Sequence, residues 1–146
     1  MGADEPKGGL APVVDFYLDA SIPFPVSQAL ALVRDDVLYP GAPGCPITTP
    51  DVKDHDWLAI AGHHGWAVIM RDKHVRSRPG ERRALRDNGV RAFVLTGAGN
   101  YSRWRTLDLL VRRWPDIESV TGVEAPPYMY AVTQQGLRRV ELGAGG

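Results

Sequence analysis

The chain has 146 residues, of which 44% are hydrophobic, and its 17 basic side chains balance 17 acidic ones. This length predicts one domain with a proper core rather than two. Every apolar segment is interrupted by a charge or a proline within about 12 residues, which is too short to cross a bilayer. We therefore expect a globular protein that is not embedded in a membrane.

The first 12 residues are polar, acidic and rich in glycine and proline. They lack the features of a signal or transit peptide, so we expect a flexible arm before a domain that spans residues 13–146. The single cysteine, Cys45, excludes an internal disulfide and a thiolate metal cluster, and it lies in a loop without an activating base. A cytoplasmic location is the default expectation.

The first predicted strand covers residues 13–18 and ends at Asp19. A helix follows over about residues 24–34, and residues 37–39 suit a short second strand. Residues 40–50 contain four prolines and form a surface loop that is long for a compact domain. Such loops are often functional.

The middle of the chain predicts a helix, a glycine stop and a buried strand. Apolar spacing indicates a helix over residues 53–64, and Gly65 fits a left-handed stop. The apolar run over residues 66–70 suits a strand covered on both faces, as in a parallel sheet. A basic loop, 76–79, then leads into a helix that ends before residues 88–89.

The last third predicts a strand, a helix and a hairpin. Residues 90–95 form the strand, and Ser102 can cap a helix over residues 103–114 that we expect Pro115 to end. The helix should bury one apolar stripe, formed by Trp104, Leu107, Leu110, Val111 and Trp114. A terminal hairpin covers residues 128–142. The alternation predicts an α/β three-layer fold, α/β/α, with a mostly parallel central sheet and a C-terminal hairpin.

Three acids occupy positions where chemistry is plausible. Asp19 follows the first strand, Asp54 begins a helix, and Asp72 follows the apolar run. If the first and third strands are adjacent and parallel, Asp19 and Asp72 meet at one end of the sheet, where ligands of open α/β sheets bind. Gathered carboxylates require a cation, and oxygen ligands select Mg²⁺ or Mn²⁺. The alternative is that these acids only complement a helix dipole or cap strands.

The charges are distributed unevenly along the chain. Residues 1–56 hold nine acids and three bases, whereas residues 57–146 hold eight acids and fourteen bases. Eight bases fall within residues 71–91: Arg71, Lys73, Arg76, Arg78, Arg82, Arg83, Arg86 and Arg91. Arginine suits bidentate contacts with phosphate, so this segment is a candidate surface for a polyanion.

The order and spacing of three short motifs resemble those of PIN-like domains, most closely the VapC-type toxin-related ribonuclease group. The motifs are LDAS with Asp19, DHDWLAIA with Asp54, and VIMRDKH with Asp72. The resemblance spans about residues 14–95. It implies a PIN-like fold and a Mg²⁺- or Mn²⁺-dependent endoribonuclease that acts as the toxin of a toxin–antitoxin pair. It also implies RNA as substrate, a cognate antitoxin protein as partner, and a homodimer as a compatible assembly.

The resemblance also implies roles for individual residues. Asp19, Asp54 and Asp72 would be metal ligands, and Asp56 is a candidate fourth acid. Lys73 and Arg71 would hold the scissile phosphate, and the bases that follow would hold flanking phosphates, among them Arg76, Arg78 and Arg82.

Four positions depart from the motifs of that group: Ser21, Met70, His74 and Val75. Because of these departures, one alternative is a non-catalytic PIN-like protein that binds RNA or a protein partner. A receiver-like domain, in which a strand-end aspartate accepts a phosphate, is the other alternative. It also places an acidic Mg²⁺ pocket on a parallel sheet.

Overall fold

The computed structural model describes residues 14–71, 79–97 and 100–143, without the side chains of Asp54, His55 and Pro79. The predicted N-terminal arm therefore lies outside the described residues. The strands are β1 (Phe16–Leu18), β2 (Val37–Leu38), β3 (Ala67–Arg71), β4 (Arg91–Leu95), β5 (Tyr128–Thr133) and β6 (Gly136–Val140). The helices are α1 (Phe24–Val33), α2 (Asp54–His64), α3 (Pro79–Asp87) and α4 (Arg103–Val123).

The strands form one sheet in the order β2-β1-β3-β4-β5-β6. The first five strands in this order are parallel, and β6 runs antiparallel to β5 as the second arm of a hairpin. The predicted mostly parallel sheet with a C-terminal hairpin is confirmed. The chain order reverses at β1, because β2 lies on one side of it and β3 on the other.

Two apolar cores lie on the two faces of the sheet, because successive strand residues point to opposite faces. Alternate residues such as Ile69 and Phe93 pack under α1 and α4. The residues between them, such as Val68 and Val94, pack under α2 and α3. This arrangement confirms the three-layer α/β/α architecture.

The unbroken apolar run is strand β3, which lies between β1 and β4 and is covered on both faces. Its residues Ala67, Val68 and Ile69 have no exposed surface. The left-handed stop also forms as predicted, because Gly65 ends α2 with a φ of 71°.

Helix α4 continues through Pro115 to Val123, so the prediction that the proline ends the helix was wrong. A proline inside a helix removes one backbone hydrogen bond. At this position the surface is exposed, and water can satisfy the freed carbonyl group. The buried face continues on the other side of the proline, where Ile117 and Thr121 follow Trp114 in the core.

The predicted apolar stripe of α4 was partly wrong. Trp104 is 76% exposed and Val111 is also exposed, whereas Leu109, Leu110 and Trp114 are buried. The buried face of the helix runs along Thr106, Leu109, Leu110, Trp114, Ile117 and Thr121, and Trp104 lies outside it.

The loop over residues 40–50 is anchored by buried side chains rather than lying loosely on the surface. Ala42, Cys45 and Ile47 belong to the core beside α2. Burial raises the pKa of the Cys45 thiol, which keeps it protonated and unreactive. Among the described residues, no helix is long and apolar enough to cross a membrane.

Candidate active site at the carboxyl end of β1

Asp19 lies directly after β1, at the edge of the sheet where all the parallel strands end. Its backbone N–H donates to the carbonyl of Ile69 on β3 at 3.1 Å, which ties the strand tip to its neighbour. The reversal of strand order at β1 opens a crevice at this edge, because the connections from β1 and β3 leave on opposite faces of the sheet. The first predicted site residue therefore lies where ligands of such sheets bind.

Ser21 fixes the carboxylate of Asp19. The Ser21 backbone N–H donates to Oδ1 of Asp19 at 3.0 Å, and the Ser21 hydroxyl donates to the same oxygen. The hydroxyl oxygen in turn accepts a hydrogen bond from the backbone N–H of Arg71 at 2.9 Å. Ser21 therefore joins the tip of β1 to the end of β3 and sets the direction of the carboxylate.

A cleft of about 450 Å³ opens beside this carboxylate. Asp19, Ser21 and Arg71 form its polar part. Its remaining walls come from the segment that leads into α1, from the residues after β2, and from the loop before α2: Ala20, Ile22, Pro23, Phe24, Ser27, Tyr39, Pro40 and Pro50. The cleft thus combines an anchored carboxylate, an arginine and an apolar wall.

Tyr17 lies in the core below the cleft, where it packs against Trp57 and Trp66. Burial raises the pKa of its phenol, and the negative charge of Asp19 raises it further. The phenol therefore stays neutral throughout the physiological range. Its packing against the two tryptophans supports the strand that leads to Asp19.

Two of the predicted site residues meet in the described structure. Asp19 and Arg71 line the same cleft, on the neighbouring strands β1 and β3. The condition for Asp19 and Asp72 to meet, that these strands be adjacent and parallel, is confirmed. Asp72 itself follows Arg71 but lies outside the described residues, so its place in the site stays a prediction.

The start of α2 lies at the same edge of the sheet, because α2 connects the end of β2 to the beginning of β3. Pro50, four residues before Asp54, lines the cleft. Asp54 is the first residue of α2, but the structure does not describe its side chain. Asp56 is exposed in the same helical turn and does not line the cleft.

The predicted basic surface is described only in part. Arg82 lies in the first turn of α3, which begins at the same edge of the sheet because α3 connects β3 to β4. It does not line the cleft. Arg86 and Arg91 donate instead to the backbone carbonyls of Leu142 and Gly65, away from the cleft. Lys73, Arg76 and Arg78 lie outside the described residues.

The donor chemistry at the cleft suits a hard divalent cation. Asp19 offers carboxylate oxygen, and Asp54 and Asp72 would add only oxygen, which Mg²⁺ and Mn²⁺ prefer. Among the side chains that the structure describes, no three acidic, histidine or cysteine groups gather at one point. The side chains of Asp54 and Asp72, the other two predicted ligands, lie outside the described part of the structure, so their roles stay predictions.

Sequence reasoning missed the aromatic wall of the cleft. Phe24 is the first residue of α1, and Tyr39 is the residue after β2. Their ring centroids lie 5.3 Å apart. They are 15 positions apart in the chain, and no spacing rule joins a helix start to a strand end. The only available signal was the position of Phe24 between two prolines, at a helix start that follows Asp19 by five residues.

Comparison with known proteins agrees with this geometry. The family described as "PIN like domain" matches residues 14–97, which is more than half of the chain and includes the edge of the sheet that carries Asp19. A protein of Mycobacterium tuberculosis named "Putative ribonuclease VapC45" is 36% identical over 47 residues. That match covers 32% of this chain and 34% of the relative, so it spans only about a third of either protein. No solved structure matches. The chain belongs to the PIN-like domain family.

Proposed function

We propose that this chain is a Mg²⁺- or Mn²⁺-dependent endoribonuclease and the toxin of a toxin–antitoxin pair. The observation that carries the proposal is the placement of Asp19, which Ser21 fixes at the reversal point of the sheet beside Arg71. Family membership and the name of the relative support a nuclease. The cytoplasm is the proposed location, and the cognate antitoxin is the proposed protein partner.

Asp19, Asp54 and Asp72 would hold the cation, with Asp56 as a candidate fourth acid. The bound ion would activate a water molecule for attack on a phosphodiester. It would also neutralise the charge on the leaving oxygen. Arg71 at the wall of the cleft would donate to a non-bridging phosphate oxygen, and Lys73 would hold the same phosphate. Ser21 would keep the Asp19 carboxylate aimed into the cleft.

The flanking RNA would follow the edge of the sheet toward the start of α3. Arg82 lies there, and Arg76 and Arg78 belong to the preceding segment. Cations along this path would contact the phosphates on either side of the cleavage point. This placement predicts affinity for RNA that falls as the salt concentration rises.

Cleavage of single-stranded RNA in the presence of Mn²⁺ tests the proposal. The parent chain should cleave, and Asp19→Asn and Asp72→Asn should each lose at least about 100-fold in rate, because each removes a charged ligand. Asp35→Asn is the matched control, since Asp35 is an exposed aspartate before β2, at the opposite edge of the sheet. Equal cleavage by all four proteins would reveal a contaminating nuclease and overturn the assignment.

The departures at Met70 and His74 favour one alternative, a PIN-like protein that binds RNA without cleaving it. This alternative predicts RNA affinity that falls steeply with salt, together with no binding of a divalent ion. The receiver-like alternative shares a doubly wound parallel sheet, so the fold does not separate it. The family match supports the PIN-like interpretation instead.

A further inference from the structure

Phe24 carries an exposed aromatic ring into the cleft beside Asp19. It is 53% exposed, whereas most large apolar side chains of the described sheet and helices are buried. A single exposed apolar residue is common on protein surfaces and needs no explanation. Phe24 differs because its ring forms a wall of the same cleft that contains the anchored carboxylate.

The backbone holds this ring in place. Pro23 is the N-cap residue of α1, and Pro25 occupies its first turn. Phe24 lies in the first turn of α1 and directly before Pro25, which restricts the backbone of the preceding residue. An aromatic side chain has only two χ angles, so it loses little conformational entropy when it contacts a ligand.

Tyr39, the residue after β2, packs against Phe24 and lines the same cleft. Its ring lies edge-to-face with Phe24, with an interplanar angle of 85° and 5.3 Å between centroids. This contact supports the Phe24 ring, about half of whose surface stays exposed. Both rings belong to the lining, together with Pro40 and Pro50.

The side chains that line the cleft include groups suited to each of the two parts of a nucleotide, its phosphate and its base. The cleft has a volume of about 450 Å³, which lies within the range of about 300–1,000 Å³ for small-molecule sites. Asp19 and Arg71 suit a metal ion and a phosphate. The aromatic rings of Phe24 and Tyr39 suit the face of a base.

We propose that the ring of Phe24, supported by Tyr39, stacks on one unpaired nucleobase of the RNA, next to the scissile phosphate. This subsite deepens the proposed nuclease function and rests on it. A base inside a duplex has no free face, so the subsite selects single-stranded RNA or a loop. Stacking tolerates every base, so the aromatic wall selects an unpaired nucleotide rather than a particular sequence.

Fluorescence of 2-aminopurine, placed at successive positions of a single-stranded oligoribonucleotide, tests the subsite without cleavage. The full chain carrying Asp19→Asn is titrated with each oligonucleotide, because this variant should bind RNA but not hydrolyse it. Stacking on an aromatic ring should quench the probe at one position. Adding Phe24→Leu should remove that quenching and weaken binding by about 10-fold.

Two matched variants separate stacking from a structural effect. Phe24→Tyr keeps an aromatic face and should behave as the parent does. Leu32→Ala changes an 86% exposed apolar residue near the other end of the same helix and should leave the quenching unchanged. Quenching at the same position in Phe24→Leu would overturn the subsite, and so would equal probe fluorescence at all positions of a bound oligonucleotide.

A cleavage experiment gives the second test. An abasic nucleotide at the quenched position should slow cleavage by the parent chain about 10-fold. The same abasic nucleotide should cause no further loss in Phe24→Leu, because the base and the ring are partners. A parent chain that cleaves abasic and intact RNA equally would overturn the subsite alone. A parent chain that neither binds nor cleaves any RNA would overturn the proposed function as well.

Discussion

Ser21 donates two hydrogen bonds, from its backbone N–H and its hydroxyl, to the same carboxylate oxygen of Asp19. The hydroxyl also accepts the backbone N–H of Arg71 at the end of β3. The short hydroxyl side chain of Ser21 thus holds the carboxylate and ties it to β3. The departure at Ser21 is therefore compatible with an ordered site.

Ser21→Ala should lower metal-dependent RNA cleavage by about 10- to 100-fold, because it removes a hydrogen bond to a charged group worth about 1.5–3 kcal/mol. Ser21→Thr keeps the hydroxyl and should retain most of the rate. Ser119→Ala, on the exposed surface of α4, is the control. Initial rates at saturating Mn²⁺ measure the effect, and a Ser21→Ala rate equal to that of the parent would show that the hydroxyl has no positioning role.

Gly62 permits the close packing of α2 against the turn after α3. A Cβ atom at Gly62 would lie 2.0 Å from the backbone oxygen of Asn88. Gly62→Ala should therefore lower the free energy of unfolding by about 1–3 kcal/mol, although alanine is the better helix former. Gly80→Ala in α3 has open space around the new methyl group and should raise stability by up to about 1 kcal/mol. Urea denaturation of both variants measures the contrast, and equal effects of the two would contradict the packing argument.

Glu124, at the end of α4, accepts hydrogen bonds from Tyr130 on β5 and Arg139 on β6. Burial tends to raise the pKa of Glu124, but these hydrogen bonds outweigh burial and hold it below the ordinary value of 4.5. A carboxylate with a lowered pKa in the folded state stabilises the fold above its unfolded pKa. That contribution is lost as the pH falls through the folded pKa.

Glu124→Gln should therefore destabilise the protein at pH 7 and flatten its loss of stability below about pH 4.5. Urea denaturation at several pH values compares the parent with the variant. Glu118→Gln is a matched control from the same helix, because Glu118 is exposed and pairs with Arg34 rather than with the hairpin. A parent and a Glu124→Gln variant with parallel pH profiles would show that this cluster does not contribute.

Arg82 should contact an RNA phosphate outside the cleft. Arg82→Gln should weaken RNA binding at all sequences and reduce the slope of log affinity against log salt by about 0.7, as for one lost contact with a single strand. Arg112→Gln is the control, because Arg112 pairs with Asp108 on α4 in the opposite layer. Titrations at several salt concentrations measure the slope, and the same change in both variants would reflect net charge alone.

Most of the architecture could be predicted from the sequence, because strong local patterns fix it. The unbroken apolar run of β3 indicated a strand that is buried on both faces of the sheet. Gly65 ends α2 because a residue without a Cβ atom can adopt the left-handed conformation. The error at Pro115 arose because proline weakens a helix locally, whereas the buried residues Ile117 and Thr121 sustain it through tertiary packing. At that point the tertiary packing of the helix outweighs the low helix propensity of proline, as it does in many helices.

The candidate site was only partly predictable. Asp19 and Arg71 could be placed, because strand ends in a parallel sheet share one edge. The contact between Phe24 and Tyr39 could not, because it depends on where β2 lies beside β1. Side-chain pairings of this kind follow from the three-dimensional arrangement and leave no periodic signal in the chain.

Asp19 should share a divalent cation with Asp54 and Asp72. Calorimetric titration with Mn²⁺ tests it on the parent, on Asp19→Asn, Asp54→Asn and Asp72→Asn, and on Asp35→Asn as the control. We expect the parent and Asp35→Asn to bind Mn²⁺ alike, and each of the other three variants to lose at least about 10-fold in affinity. Mn²⁺ binding that is unchanged in Asp19→Asn would contradict the claim.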